Sequence, residues 1–299
     1  MRPKTLLVAF FLAISASACR GSKEPGHDLF GCWQDPDPAR SVLVRFQPAR
    51  CFLFEDGNLV VSAVTYQPGK IVLASWGKTF TWDVQTKGDA LTLRSVDGKI
   101  QLSFRRLDGV PPELELRPLP LGQAGELPPE KVQAIQDELA QRKKVDQEVR
   151  VENAPGVSWT KVDADNTAYL IKLVQEIGWI DATRFGPQAA GSAFLIAQHS
   201  GYLSLVLAAY PEVEKDAKAG RISLSYFASM HDRLHILLCE PQRYGSQLGE
   251  NDKGEMVVLP LEDRSSVDEL RKQLGLTPLE EYLDYMKKKN GWKEVKFVE

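Results

Sequence analysis

Polar residues in the second half of the 299-residue chain have the types that acid–base chemistry and anion binding require. His199 follows Gln198 at the end of an apolar helical stretch, and an imidazole can give or take a proton near neutral pH. Asp232 and Arg233 are adjacent in another apolar stretch, and a guanidinium binds anionic groups. A loop at 242–247 places two amides, a phenol and a hydroxyl around a glycine. We therefore predict catalytic roles for His199, Asp232, Arg233 and Tyr244, and binding roles for Gln198, Gln242, Ser246 and Gln247.

Most of these residues also have a purely structural explanation. A histidine at a helix C-terminus can interact with the last carbonyl groups, and an Asp-Arg pair inside a helix is usually a packing or interhelical ion pair. The loop is harder to explain in this way, because loops on a rigid scaffold often carry binding and catalytic groups. If these residues act together, they should share one hydrogen-bond network, with His199 within reach of Asp232 or Tyr244.

A possible zinc motif lies in the same region, at His231-Asp232-Arg233-Leu234-His235. Two histidines four positions apart lie on one face of a helix, and the intervening acid could act as a general base. His231, however, also belongs to the apolar stripe of that helix, and no third ligand is indicated. We therefore predict no metal site and no cofactor. The sequence also lacks the GxSxG elbow, the P-loop, the dinucleotide-binding glycine motif and the calcium-binding loop.

The first half of the chain has the periodicity of short β-strands. Apolar residues alternate in several segments between Leu29 and Pro118, and turn-forming sequences separate them. Eight or nine strands joined by tight turns predict an antiparallel meander, closed as a barrel or packed as a sandwich. Gly31 and Trp33 resemble the GxW motif of lipocalin-like barrels, which implies a ligand pocket. A filled barrel or sandwich is the interpretation that we favour.

A change of period marks a second region after a segment rich in proline and glycine. Helical spacing then dominates, with one short strand at Glu255–Pro260, so the predicted class is α+β with several domains. Asp165 or Asn166 could cap one helix, and one long helix is expected over Ser266–Lys289. We divide the chain into a signal peptide (1–18), a tether (19–28), an antiparallel β domain (29–118), a linker (119–129), a helical domain (130–289) and a tail (290–299).

Short motifs across the helical region resemble one bacterial family in order and spacing. They are Asp146-Gln147-Glu148-Val149-Arg150, Val162-Asp163-Ala164-Asp165-Asn166, Gly178-Trp179, Gly186 with Ala189-Ala190, Gln198-His199, Asp232-Arg233, the loop 242–247, and Arg271 with Gly275-Leu276-Thr277-Pro278-Leu279. This set resembles the domain of unknown function 6624 over Leu127 to Lys289. That family commonly has Thr where Ser246 stands and an acid near Gly201, which this chain lacks. The resemblance implies a domain boundary and candidate residues, and it implies no reaction.

The N-terminus has the three parts of a secretion signal: a basic flank, an apolar run and small residues before Cys19. The run Leu6–Ile14 is shorter than the roughly 20 residues that a membrane-spanning helix needs. Ala16-Ser17-Ala18-Cys19 resembles the lipobox of bacterial lipoproteins, with Ala16 where Leu is usual, and an ordinary signal-peptidase site is the alternative. We predict lipidation at Cys19, a membrane partner through that anchor, and an extracytoplasmic location, at the outer membrane where one exists.

Charge and cysteine content limit the classes of function. A formal net charge of -3 gives no basic surface for nucleic acid. Cys32 and Cys51 lie in neighbouring apolar segments and could form a disulfide, and Cys239 is expected to be a buried thiol. The favoured function is a metal-independent extracytoplasmic hydrolase or transferase. The alternative is a non-enzymatic envelope binding or scaffold protein that recognises a peptide, a glycan or a protein partner.

Overall fold

The computed structural model describes residues 26–37, 39–151 and 158–298. Cys19 and the predicted signal peptide lie outside these residues. Within them, eight strands are followed by seven helices and a small sheet, which confirms the predicted α+β class. Among the described helices, none is long and apolar enough to cross a bilayer.

Residues 31–107 form a closed antiparallel barrel in which each strand pairs with the next along the chain. The strands are β1 (Gly31–Gln34), β2 (Leu43–Phe46), β3 (Arg50–Glu55), β4 (Asn58–Gln67), β5 (Lys70–Ser75), β6 (Lys78–Lys87), β7 (Ala90–Ser95) and β8 (Gln101–Leu107). β1 also pairs with β8, where Trp33 lies opposite Arg106. The sheet is closed and has no free edges, so the structure confirms the barrel alternative and excludes the sandwich.

The interior of the barrel is packed in part and open in part. Trp33 is fully buried there, and its Nε1 donates a hydrogen bond to the carbonyl of Leu29 at 2.8 Å. Leu29 belongs to a 3-10 helix, His27–Leu29, that lies at the end of the barrel where Arg106 donates to the carbonyl of Phe30. A cavity of about 870 Å³ occupies the interior. It opens at the opposite end of the barrel, where the β1–β2, β3–β4 and β7–β8 connections lie. The filled barrel favoured from the sequence is therefore wrong.

The second region contains seven helices: α1 (Pro129–Val151), α2 (Trp159–Ile177), α3 (Ala182–Ser200), α4 (Leu203–Lys218), α5 (Leu224–Leu237), α6 (Val267–Gln273) and α7 (Leu279–Asn290). α2 begins earlier than predicted, with Ser158 in the extended N-cap conformation, so Asp165 and Asn166 do not cap it. The single helix expected over 266–289 is two helices, because Gly275 adopts a positive φ of 66° between them.

Three short strands complete the second region: β9 (Leu248–Glu250), β10 (Met256–Val258) and β11 (Lys296–Phe297). β10 lies within the predicted strand and pairs antiparallel with β9. β11 comes from the segment predicted as a tail and pairs parallel with β10. Residues 296 and 297 therefore belong to the folded region.

The barrel and the second region share one apolar core. Cys32, Phe52 and Val61 project outward from the barrel and pack in the same cluster as residues of α2 and α3. Cys51 packs in the separate cluster inside the barrel, on the other side of the sheet from Cys32. The disulfide considered between these two residues is not formed, and both are free thiols, as is the partly buried Cys239.

The connection between the two regions follows the surface of the helices. Leu119 donates its backbone N–H to the carbonyl of Ser204 at 2.8 Å, and Gly122 donates to the carbonyl of Val174 at 2.9 Å. A Cβ on Gly122 would lie 2.5 Å from the carbonyl oxygen of Gln175. The segment is therefore docked by hydrogen bonds and close contact, and the exact domain boundaries stay a prediction.

Candidate functional site

The candidate site begins where α1 and α3 pack side by side. Small side chains of α3, Ala189 and Ala193, pack with Ile135 and Leu139 of α1 in the common core. Small residues allow two helices to approach closely. This packing brings Asp146, near the end of α1, to His199, in the last turn of α3.

Asp146 and His199 form a hydrogen-bonded pair. The His199 Nδ1 lies 2.9 Å from the Asp146 Oδ1. The His199 side chain is 18% exposed and the Asp146 side chain is 1% exposed. Because the carboxylate can only accept, Nδ1 carries the proton and Nε2 has a free lone pair. No described residue hydrogen-bonds Nε2. The pair therefore has the arrangement in which a carboxylate orients an imidazole for general acid–base work.

Arg150 balances the negative charge of this pair and of a second acid. Its Nη2 donates to both carboxylate oxygens of Asp163, at 2.6 and 2.8 Å, and its Nη1 lies 3.5 Å from the Asp146 Oδ1. Burial would raise the pKa of Asp146, but the hydrogen bonds from His199 and Gln147 and the positive charge of Arg150 hold that pKa below its usual range.

The same residues include a set of atoms that could ligate a cation. Oxygens of Asp146 and Asp163 and a nitrogen of His199 all lie within 4.8 Å of one another. Arg150, however, already binds both carboxylates and supplies a positive charge between them. A metal would have to displace that guanidinium, so the donor set fits an ion pair better than a metal centre.

A second polar cluster lies next to the pair. In the amide orientation that gives Gln198 partners at both ends, its oxygen accepts from Gln247 Nε2 at 3.0 Å and from Arg233 Nε at 3.2 Å. Its nitrogen then donates to the carbonyl of Ser229 at 3.3 Å. Gln247 also donates to the Ser246 hydroxyl at 2.9 Å. The predicted residues Gln198, Arg233, Ser246 and Gln247 therefore form one network beside His199.

Arg233 has no carboxylate partner among the described residues. Its guanidinium lies 4.5 Å from the ring centre of Trp76, which stands between β5 and β6 of the barrel. Burial and the positive charge of Arg150 lower the pKa of Arg233 to about 10, so the side chain remains cationic at neutral pH. A groove of about 290 Å³ between barrel and helices is lined by Trp76 and Ile236. Arg233 does not itself line this groove and is connected to it through its contact with Trp76. A guanidinium without a carboxylate partner is suited to binding an anion.

The 242–247 loop is held rigidly from several sides. Asp232 is fully buried and accepts from the backbone amides of Arg243, Tyr244 and Ser246 at 2.9 to 3.0 Å. The Nη1 of Arg271 donates to the carbonyl of Tyr244 at 2.6 Å. The Gln242 side chain accepts from the backbone of Gln247 at 2.8 Å and donates to its carbonyl at 2.9 Å. Asp232 and Gln242 therefore support the loop, and Gln247 is the member that faces the network.

The predicted contact of His199 with Asp232 or Tyr244 is not made directly; Asp146 takes that place. Tyr244 instead packs edge-on against Phe227 and His231. The imidazole rings of His231 and His235 stack 4.2 Å apart, within the aromatic cluster. The structure thus brings Gln198, His199, Arg233 and Gln247 together. Asp232 and Gln242 hold the loop that carries Gln247, and Tyr244 packs in the aromatic cluster. Catalytic or binding roles for these residues stay a prediction.

Three residues of the site were not among the predicted site residues: Asp146, Arg150 and Asp163. All three lie in motifs that carry the family resemblance. Asp146 and Arg150 are also four positions apart, the spacing of an ion pair on one helix face. Such a pair has an ordinary structural explanation, and its nearness to His199 depends on how two helices pack.

Comparison with known proteins gives one match. The model of a family of unknown function, DUF6624, matches residues 130–296, which is more than half of the chain and contains Asp146, His199, Arg233 and Gln247. No curated protein and no solved structure matches the chain. The chain therefore belongs to the family of unknown function DUF6624.

Proposed function

We propose that the helical region is a metal-independent hydrolase or transferase that acts on a substrate with an anionic group. The observation that carries this proposal is the 2.9 Å contact between His199 and the buried Asp146, with Nε2 left free. A structural histidine gains little from a buried carboxylate, because burying a charge is costly. The same pair is useful when an imidazole must become charged during a reaction.

The proposed chemistry is a proton transfer through Nε2. His199 takes the proton from a water or a substrate hydroxyl as that oxygen attacks the substrate, and it then returns the proton to the leaving group. Asp146 keeps the imidazole in the required tautomer and stabilises the imidazolium. Catalysis of this kind contributes typically about 10² to 10⁴ in rate.

Arg233 supports the choice of an anionic substrate. Its positive charge is not compensated by a carboxylate among the described residues. Its Nε donates to the Gln198 oxygen, which also accepts from Gln247. A guanidinium held in this way can bind a phosphate or carboxylate of the substrate. Trp76 lies against the same guanidinium, so the barrel helps to shape the site.

The test compares purified wild type with His199→Gln and Asp146→Asn on chromogenic phosphate monoesters, phosphate diesters and carboxylic esters. Both variants should lose about 10² to 10⁴ in kcat/KM on whichever class the wild type hydrolyses. The matched control is Glu148→Gln, which changes an exposed carboxylate on the same helix. Equal rates in wild type and both variants would contradict the proposal.

Two further outcomes would redirect it. Activity that disappears with a chelator and returns with a divalent cation would replace the metal-independent mechanism by one that uses the atoms of Asp146, Asp163 and His199. Tight binding of an envelope peptide or glycan without turnover, weakened by Arg233→Met, would favour the binding-protein alternative.

We also propose that the chain is exported and anchored to a membrane through a lipid on Cys19. The support is the sequence alone: a basic flank, a short apolar run and a lipobox-like Ala16-Ser17-Ala18-Cys19. Cells fed radiolabelled palmitate should label the wild type and not Cys19→Ala. An unlabelled wild type that begins at Cys19 would contradict the anchor and leave simple export.

A further inference from the structure

The largest described cavity lies inside the barrel and is lined by apolar side chains. Its walls include Leu53, Leu73, Leu93 and Leu102, with Trp82 beside them. Among the lining residues, β4 contributes Ser62. At about 870 Å³ the space lies within the range of roughly 300 to 1,000 Å³ that small-molecule sites have. It is therefore large enough for a ligand, and its walls favour an apolar one.

A large apolar residue at the mouth of this cavity is exposed to solvent: Ile100 lines the cavity and is 51% exposed. Val60 and Phe80 are 41% and 54% exposed and do not line it. Ile100 is two positions from Leu102, which packs inside the barrel, so it projects toward the interior. At Ile100 the rim thus extends the apolar wall out to the solvent.

The charged residues at the mouth are mainly acidic. Asp35 and Arg40 compensate each other, with their charged atoms 3.7 Å apart. Glu55 and Asp56, at the turn between β3 and β4, also line the cavity, and no described residue forms an ion pair with either. The mouth therefore has two uncompensated negative charges above an apolar interior.

From this arrangement we propose that the barrel binds a small cationic amphiphile. The apolar part of the ligand occupies the cavity, and its positively charged head lies at the mouth beside Glu55 and Asp56. An anionic amphiphile, such as a fatty acid, would bring its carboxylate to the same two acids and is disfavoured. This site is separate from the pair of Asp146 and His199, and it does not depend on the function proposed for that pair.

The experiment measures displacement of the neutral fluorophore N-phenylnaphthylamine from the purified protein by three ligands with the same twelve-carbon chain. Dodecylamine should displace it about tenfold more effectively than dodecanoate at low ionic strength, with dodecanol between them. The difference should shrink at 1 M salt, where charges are screened beyond roughly 3 Å. Equal or tighter binding of dodecanoate would overturn the proposed head group, and absence of saturable fluorophore binding would overturn the site.

Paired variants separate binding inside the barrel from adsorption outside it. Ser62→Phe fills the cavity and should weaken all three ligands about tenfold or more, whereas Thr65→Phe places the same ring on the exposed outer face of β4 and should change nothing. Glu55→Gln with Asp56→Asn should remove the preference for the amine; Asn tolerates the positive φ of 51° at position 56.

One further variant covers the case in which Ser62→Phe does not fold. Ile100→Lys adds a positive charge at a half-exposed rim position and should weaken dodecylamine while sparing dodecanol. Unchanged affinities in Ile100→Lys and in the double variant would overturn the proposed head group.

Discussion

The barrel and the helical region differ in the kind of side chain that they bury. Every buried polar or charged side chain among the described residues lies in the helical region, whereas the barrel buries only apolar residues. The barrel nevertheless contains the larger cavity. The buried polar residues are Asp146, Asn166, Thr167, Ser192, Gln198, Asp216, His231, Asp232, Gln242, Gln247 and Arg271.

This difference follows from the directionality of the two kinds of interaction. Apolar burial is proportional to area and has no preferred direction, so a closed sheet can be stable around unfilled space. A buried polar group must meet a partner at the correct distance and angle, so each one fixes the position of another. The helical region is therefore suited to holding atoms in place, and the barrel to enclosing a volume.

The strongest test of this comparison removes Asp232. In Asp232→Ala three backbone amides of the 242–247 loop lose their buried acceptor, and the free energy of unfolding should fall by about 3 to 5 kcal/mol. Urea denaturation measures it. Asp263→Ala, which removes an exposed acceptor of a local turn, should change stability by less than about 0.5 kcal/mol. Similar losses in both variants would contradict the importance of directional contacts.

Within the barrel, the expected effect depends on whether a side chain meets packed atoms or the cavity. Leu91→Ala should cost about 2 to 5 kcal/mol, because Leu91 is 1% exposed in the interior cluster. Leu102→Ala should cost less than about 1.5 kcal/mol, because part of that side chain already faces the cavity. Denaturation of the two variants side by side decides it, and equal losses would mean that the cavity is not open space.

The docked connection can be tested with two glycines. Gly122→Ala would place a Cβ 2.5 Å from the carbonyl oxygen of Gln175 and should destabilise by about 1 to 3 kcal/mol. Gly125→Ala meets nothing within 4 Å and should be neutral or stabilising by about 0.4 to 1 kcal/mol. Faster proteolytic cleavage between residues 119 and 129 in Gly122→Ala alone would support docking; equal behaviour of both variants would oppose it.

The smallest effect on stability is expected at Arg233. Arg233→Met removes a desolvated charge that has no carboxylate partner, so the free energy of unfolding should change by less than about 1 kcal/mol. Binding of inorganic phosphate, measured by calorimetry, should nevertheless be lost. The matched variant Arg243→Met removes a paired guanidinium on the neighbouring loop and should retain phosphate binding. A large loss of stability in Arg233→Met without a change in binding would assign Arg233 to structure.

The sequence predicted the barrel strands well because their signal is local. Alternation with a period of two places Val44, Leu93 and Phe104 inside, and Gly with Asp or Lys marks the turns. The cavity could not be predicted in this way. Its volume depends on how all eight strands tilt and on the side-chain sizes around the circle.

The site was predicted in part for a related reason. The sequence identified Gln198, His199, Arg233 and Gln247, since polar groups at the ends of apolar stretches need an explanation. It did not pair His199 with Asp146, which lies 53 positions away, because that contact depends on the packing of α1 against α3. The break at Gly275 was missed as well, because a glycine inside a helical pattern also occurs in continuous helices.

Because the barrel and the helices share one apolar core, we expect the two regions to unfold as one cooperative unit. Separation would expose Phe52 and Val61 on the outside of the barrel together with the residues of α2 and α3 that cover them. Such a chain should melt in a single transition. A ligand that binds only the folded barrel would then raise the melting temperature of the distant histidine site as well, through mass action alone and without any change of shape.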